Sequence, residues 1–228
     1  MENDTPNKIK ISKEIIATLP IETFPGKIVV IDNERDADNA VLQLNNERII
    51  GFDTETRPTF KKGKSISELI LEGILPSTFS KIHMNLERPL YLHQEKAIRK
   101  INRIGFTPAI KNLLENESLL KVGISLKDDF CMLSRLNGGQ FIPRNFIELQ
   151  KFVKKYNIED QSLQKIYGIV IGKKISKGQR LSNWEADHLT ENQQLYAATD
   201  AWSCIKIYEV LKSGKFKSPI YKIQPSSL

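Results

Sequence analysis

Short apolar runs alternate with stretches whose apolar residues recur every three or four positions, and this alternation organises the chain. Lys27-Ile28-Val29-Val30-Ile31-Asp32 is rich in β-branched residues and predicts a strand. Ala37, Ala40, Val41 and Leu44 then recur at helical spacing and predict a helix over 36–44. The next apolar run, over 48–54, predicts a second strand. Arg57 to Lys64 reads as a loop. Between Ser65 and Arg103 the pattern is weakest. Leu69-Ile70-Leu71 and Leu90-Tyr91-Leu92 fit strands, Pro76 to Asn85 a turn or short helix, and Glu95 to Ile101 a helix.

Beyond this stretch the period is clearer. A helix is expected over 107–114, a buried strand over 119–125, and a helix from Ser125 to Leu136 that buries Leu126, Phe130 and Leu133. Ser125-x-x-Asp128 has the capping-box form, and Gly138-Gly139 ends that helix. Phe146, Leu149, Phe152 and Val153 predict a helix over 145–156, and a short helix follows over 162–170. Thr190-x-x-Gln193 is a second capping box, opening a long helix to about Leu211. Leu195, Ala198, Trp202 and Ile205 can pack inward from it. Strands alternating with helices predict a three-layer α/β domain with a largely parallel core.

The length of 228 residues suits one large domain with extensions, and a 40% hydrophobic content suffices for its core. Residues 1–25 read as a polar N-terminal extension with a short helix around Lys13 to Ala17, residues 26–212 as the domain, and 213–228 as a basic tail. No apolar run reaches the length of a membrane span, and the polar N-terminus lacks a signal-peptide h-region. Cys131 and Cys204 sit in isolated, apolar, helix-like settings and read as buried free thiols. A cytoplasmic, reducing compartment is the expectation. His83, His93 and His188 show neither metal spacing nor a paired nucleophile and read as surface or structural. A net charge of +7 favours a polyanionic partner, most simply nucleic acid, and not a membrane.

Candidate chemistry starts at Gly51-Phe52-Asp53-Thr54-Glu55-Thr56. In an extended strand Asp53 and Glu55 point to one face and Phe52 and Thr54 to the other. Two carboxylates side by side are either a solvated strand end or a hard-cation site. Asp129, early in a helix, and Asp200, near the chain's end, supply further acids, and Tyr196 shares a helix face with Asp200. Carboxylates without His or Cys ligands point to Mg²⁺ or Mn²⁺ rather than zinc. Lys61, Lys62 and Lys64 follow the D-x-E strand, and Lys173, Lys174, Lys177 and Arg180 form a second basic loop. Each loop can guide a phosphate backbone or be merely solvated.

GFDTET, KVGISLKDDF and LTENQQLYAATDAW, in that order, resemble the three motifs of the DnaQ-like (DEDD) 3′–5′ exonuclease superfamily. The Y-x-x-x-D form of the third is similar to the DEDDy subgroup, and Ser182-Asn183-Trp184 ahead of it fits the ribonuclease D and Werner-syndrome helicase exonuclease families. The resemblance covers roughly Gly26 to Leu211 and implies a ribonuclease H-like fold, a five-stranded mixed sheet flanked by helices. It implies that Asp53, Glu55, Asp129 and Asp200 hold two Mg²⁺ or Mn²⁺ ions, with Asp53 bridging both. Tyr196 would orient the attacking water, and Asp128 would cap its helix with Ser125. Thr54, Lys61, Lys62, Lys64, Lys173, Lys174 and Arg180 are the expected strand contacts, and Trp184 a packing residue. The expected reaction is hydrolysis of terminal phosphodiesters of DNA or RNA, on a single strand or a recessed 3′ end, with room for a helicase partner. The competing reading is a catalytically weak nucleic-acid-binding module of the same fold. Between Ser65 and Arg103 the chain departs from the family pattern: no Gln-containing apolar run follows the D-x-E strand.

Overall fold

The structure, a computed structural model, describes residues 8–31, 33–55, 70–74, 95–100, 106–184, 186 and 188–217, with backbone only for 70–74, 95–100 and 136. One mixed sheet contains β1 (Lys27–Ile31), β2 (Ile49–Glu55), β3 (Ile70–Ile74), β4 (Glu95–Lys100), β5 (Leu120–Gly123) and β6 (Phe146–Glu148). Their order is β1-β4-β3-β2-β5-β6. β3 runs antiparallel to both its neighbours, and the remaining pairs are parallel. The helices are α1 (Lys13–Thr18), α2 (Glu34–Leu44), α3 (Pro108–Glu115), α4 (Leu126–Leu136), α5 (Leu149–Phe152), α6 (Leu163–Ile171) and α7 (Glu191–Lys212).

Alternation along β2 assigns the two layers. Ile49 packs with Ala201 and Ile205 of α7, together with Ile11, Ile16 and Ile166 from the N-terminal segment and α6. Ile50 faces the other way, against Val41, Leu44 and Leu113 of α2 and α3. Phe52 follows Ile50 onto that face and meets Phe130 and Phe146. The D-x-E strand is thus clamped between helices on both sides, as its apolar run requires.

Three expectations need correction. The sheet has six strands among the described residues, not five. Residues 145–156 are not one helix: Asn145 takes a left-handed φ of 53° and directs the chain into β6, before α5 and a 3₁₀ turn over 153–156. Lys121 N–H donates to the Asn145 carbonyl at 3.0 Å, which fixes the new edge strand. Residues 95–100 form a strand, not a helix, because β1 and β3 pair with them on both sides. With β3 and β4 in place, the stretch that departs from the family pattern still supplies the D-x-E strand with an antiparallel neighbour, in register Asp53 with Glu72 and Glu55 with Ile70. The expected strand at 90–92 and the turn at 76–85 lie outside the described residues.

The N-terminal segment is built into the domain. Ile11 and Ile16 are buried, and Ile11 N–H donates to Asp160 Oδ2 at 2.8 Å. Glu22 accepts hydrogen bonds from Lys173 and Lys206, each at 2.8 Å, and from Tyr167. Burial alone would raise its carboxyl, but these three partners outweigh that and hold it at about 2, against an ordinary 4.5. A depressed carboxylate stabilises the fold above its unfolded value, and that contribution is lost as pH falls through the folded value. Glu22→Gln is therefore expected to lower stability at pH 7 by about 2 kcal/mol. The gap to wild type should close between pH 4.5 and about 2. Urea titrations across this range measure it, and a gap independent of pH would show that the carboxylate charge is not what matters.

Candidate metal-dependent active site

Gly51 decides how near α7 can come to the sheet. A Cβ there would lie 2.2 Å from the Ala201 carbonyl oxygen and 2.7 Å from its carbon. Only glycine allows this approach. The close packing brings Asp200, one residue earlier on α7, onto the strand face that carries Asp53 and Glu55. One carboxylate oxygen from each of these three residues lies within 4.8 Å of the others. Glu55 is buried, and Asp53 and Asp200 are partly so. α7 starts from the expected capping box: Thr190 Oγ1 accepts from Gln193 N–H and the Gln193 side chain accepts from Thr190 N–H. The Gln193 amide also donates to Ser182 Oγ and the Asn183 carbonyl, tying the Ser-Asn-Trp motif to the helix start. Trp184 is buried with its ring 6.0 Å from that of Tyr196, a packing role as expected.

The electrostatics of the site are those of a cation site. Burial, then Asp200 and Asp129, push the Asp53 carboxyl well above the usual carboxylate range. Burial pushes Asp129 up to about 6, with Asp128 and Glu148 adding to it against a hydrogen bond from Thr54. Burial, Asp200, Glu55 and Asp53 raise the Tyr196 phenol, whose hydroxyl donates to Asp200. Like charges crowded in a desolvated place are what a divalent ion relieves. An all-oxygen donor set suits Mg²⁺ or Mn²⁺. Asp53, Glu55 and Asp200 therefore fit a hard cation.

Asp129 stands outside this triad. β5 pairs with only Ile49 to Gly51, so the D-x-E end of β2 runs on past it, toward the first turn of α4. There Thr54 Oγ1, on the opposite strand face from Asp53, donates to Asp129 Oδ1. Thr54 thus fixes a neighbouring carboxylate. The expected capping box of α4 is absent: Ser125 adopts a left-handed φ of 60° and its side chain caps nothing. Glu148 does that work instead, accepting from Ser125 N–H at 3.1 Å and Leu126 N–H at 2.8 Å. Its position 23 residues further on left no local signal in the sequence.

The basic residues separate. Lys173 pairs with Glu22, and Lys174 Nζ donates to the Ala17 carbonyl. Lys177, in the same loop, lies within electrostatic reach of both Arg180 and Asp200. Loop spacing alone could not distinguish it from its neighbours. Lys61, Lys62 and Lys64 lie outside the described residues, as do His83 and His93, whereas His188 is exposed. Cys204 is buried as expected, but Cys131 is exposed, because it faces away from the apolar side of α4. No helix among the described residues is long and apolar enough to cross a membrane.

Comparison with known proteins places this geometry. Residues 28–214 match the family model described as 3′–5′ exonuclease. The mouse (Mus musculus) bifunctional 3′–5′ exonuclease/ATP-dependent helicase WRN is 28% identical over 223 residues, covering 91% of this chain and 14% of that protein. An Arabidopsis thaliana 3′–5′ exonuclease is 25% identical, covering 85% of this chain and 66% of its own length. The crystal structure of the Aedes aegypti Nibbler EXO domain shares the fold, with a TM-score of 0.66 at 18% identity over 84% of this chain and 91% of that one. With the family model spanning most of its length, the chain belongs to the 3′–5′ exonuclease family.

Proposed function

We propose that the chain is a divalent-cation-dependent 3′–5′ exonuclease that hydrolyses the terminal phosphodiester of a DNA or RNA strand and releases nucleoside 5′-monophosphates. The observation that carries this reading is the convergence of Asp53, Glu55 and Asp200 within 4.8 Å, with Tyr196 hydrogen-bonded to the last of them. Asp53, Glu55 and Asp200 would hold one ion. Asp53 would reach a second with Asp129, at the roughly 3.5–4 Å spacing usual for paired ions. When bound, such ions supply Lewis-acid polarisation of the phosphoryl oxygen and an acidified water.

The chain's own residues do the positioning. With its acidity suppressed, Tyr196 keeps its proton at ordinary pH and acts as a hydrogen-bond donor, not as a base. It fixes Asp200 and can orient water beside it. Thr54 holds Asp129 in place. Lys177 brings positive charge to the Asp200 side, where a phosphate would approach. The substrate would be a single strand or a recessed 3′ end, because three carboxylates at a strand end suit one exposed phosphodiester. The mouse relative joins an exonuclease to a helicase in one protein, which supports a helicase acting on the same substrate.

Digestion of a 5′-labelled single-stranded DNA and the matching RNA, with Mg²⁺ or Mn²⁺ and with chelator, tests the reading. The expected product is a ladder shortening from the 3′ end, absent with chelator. The strand cut faster identifies the preferred sugar. Retained binding without cleavage of either strand would overturn the enzymatic reading.

A further inference from the structure

A cavity of about 340 Å³ opens beside Tyr196, within the range of sites that take small ligands, about 300–1,000 Å³. Its lining comes from segments far apart in the chain: Ile21 from the N-terminal segment, Gln179 from the basic loop, and Asn192, Leu195 and Tyr196 from one face of α7. The hydrogen bond from Tyr196 to Asp200 places the cavity next to the carboxylates.

The N-terminal wall is fixed on both sides. Glu22 N–H donates to the Lys174 carbonyl at 2.8 Å and Lys174 N–H to the Pro20 carbonyl at 2.9 Å. Phe24 N–H donates to Thr199 Oγ1 at 3.0 Å. Ile21 is held between these anchors with 62% of its surface exposed, a large apolar side chain kept at the lip of the cavity. No lining residue is charged. Among the described residues, the side-chain amides of Gln179 and Asn192 engage in no hydrogen bond.

This chemistry selects a ligand. A phosphate would seek cations, and the cavity offers none. A nucleobase offers an apolar face and an edge of alternating donors and acceptors, which aliphatic walls and side-chain amides match. We propose that the cavity receives the base of the strand's 3′-terminal nucleotide, with Ile21 and Leu195 against its face and the Gln179 and Asn192 amides at its edge. The inference rests on the exonuclease reading and adds to it a substrate wall that precedes the family-matched residues 28–214. Removing the N-terminal segment would also remove Ile11 and Ile16 from the core, so single substitutions are the proper probe.

The test compares strands ending in a normal nucleotide or in an abasic residue, cut by wild type, Ile21→Ala and Asn192→Ala, with melting curves for each protein. Wild type should remove the abasic end about tenfold more slowly, reported as kcat/KM. Ile21→Ala and Asn192→Ala should be slower on the normal end and equal to wild type on the abasic one, because base and side chain act as one contact. If wild type and both variants lose the same factor on the abasic end, the base lies elsewhere and the proposal fails while the exonuclease stands. If no protein cuts either end, the exonuclease reading fails, and this proposal with it.

Discussion

Replacing Asp53 by Asn is expected to abolish cleavage while raising the melting temperature of the metal-free chain. Asp53 is pushed well above the ordinary carboxylate range by burial and by Asp200 and Asp129, so its charge opposes folding. An acid whose folded value is raised stabilises the fold fully below its unfolded value, and that contribution is lost as pH rises through the folded value. Without metal, wild type should therefore lose stability as pH climbs above about 4, with Asp129 adding to the loss up to about 6. The Asn variant should show a flatter profile. Relief of a crowded buried charge is worth about 1–3 kcal/mol, a few degrees in a domain of this size.

Activity should move the opposite way. Losing the shared ligand removes several kcal/mol of transition-state stabilisation, on the order of a 10³-fold loss of rate. Mn²⁺ at about a hundred times its dissociation constant should raise wild-type stability by about 2.7 kcal/mol and leave Asp53→Asn nearly unmoved. Melting curves with and without Mn²⁺, set beside the cleavage assay, measure all three quantities. Equal Mn²⁺ shifts in both proteins would place the cation elsewhere.

The elements that position Asp53 were legible because local and long-range signals agree there. Ile49 to Glu55 combines β-branched residues with strict alternation, and burial on both faces leaves one register. α7 was legible because Thr190 and Gln193 form a box within one turn. Legibility failed where the decisive partner is distant. Phe146, Leu149, Phe152 and Val153 fit a helical period, yet β5 pairing and the left-handed Asn145 draw Phe146 to Glu148 into the sheet. Ser125 and Asp128 have the spacing of a box, yet the Glu148 carboxylate supplies the cap. Ala97 and Ile98 fit either period, and pairing with β1 and β3 decided it. The scattered isoleucines ahead of Gly26 gave no strong period, because Ile11 and Ile16 are buried by α6 and α7 rather than by each other. In the site, the residue types and their order were readable from the motifs. The sequence could not show that Asp129 is held by Thr54 outside the triad, or that Lys177 is the loop lysine nearest Asp200 in effect.

Gly51→Ala is expected to damage the site as severely as losing a ligand, without touching one. The added Cβ would meet the Ala201 carbonyl oxygen at 2.2 Å, about 1 Å inside ordinary contact. Because the clash is with backbone, no rotamer relieves it. Either β2 or α7 must shift, and α7, capped at Thr190 and 22 residues long, moves as a unit. Overpacking of this kind costs about 1–3 kcal/mol. Displacing Asp200 by about 1 Å from Asp53 and Glu55 is worth about 10²-fold in rate. Gly178→Ala provides the stability control, since its Cβ would meet only Ser176 Oγ, at 3.4 Å. A second substitution, Ala201→Gly, separates backbone from side-chain crowding. It removes the Ala201 methyl but leaves the carbonyl, so the double variant should recover neither melting temperature nor rate. Recovery would mean that side-chain volume, not the approach of the two backbones, sets the distance between Asp200 and the D-x-E strand.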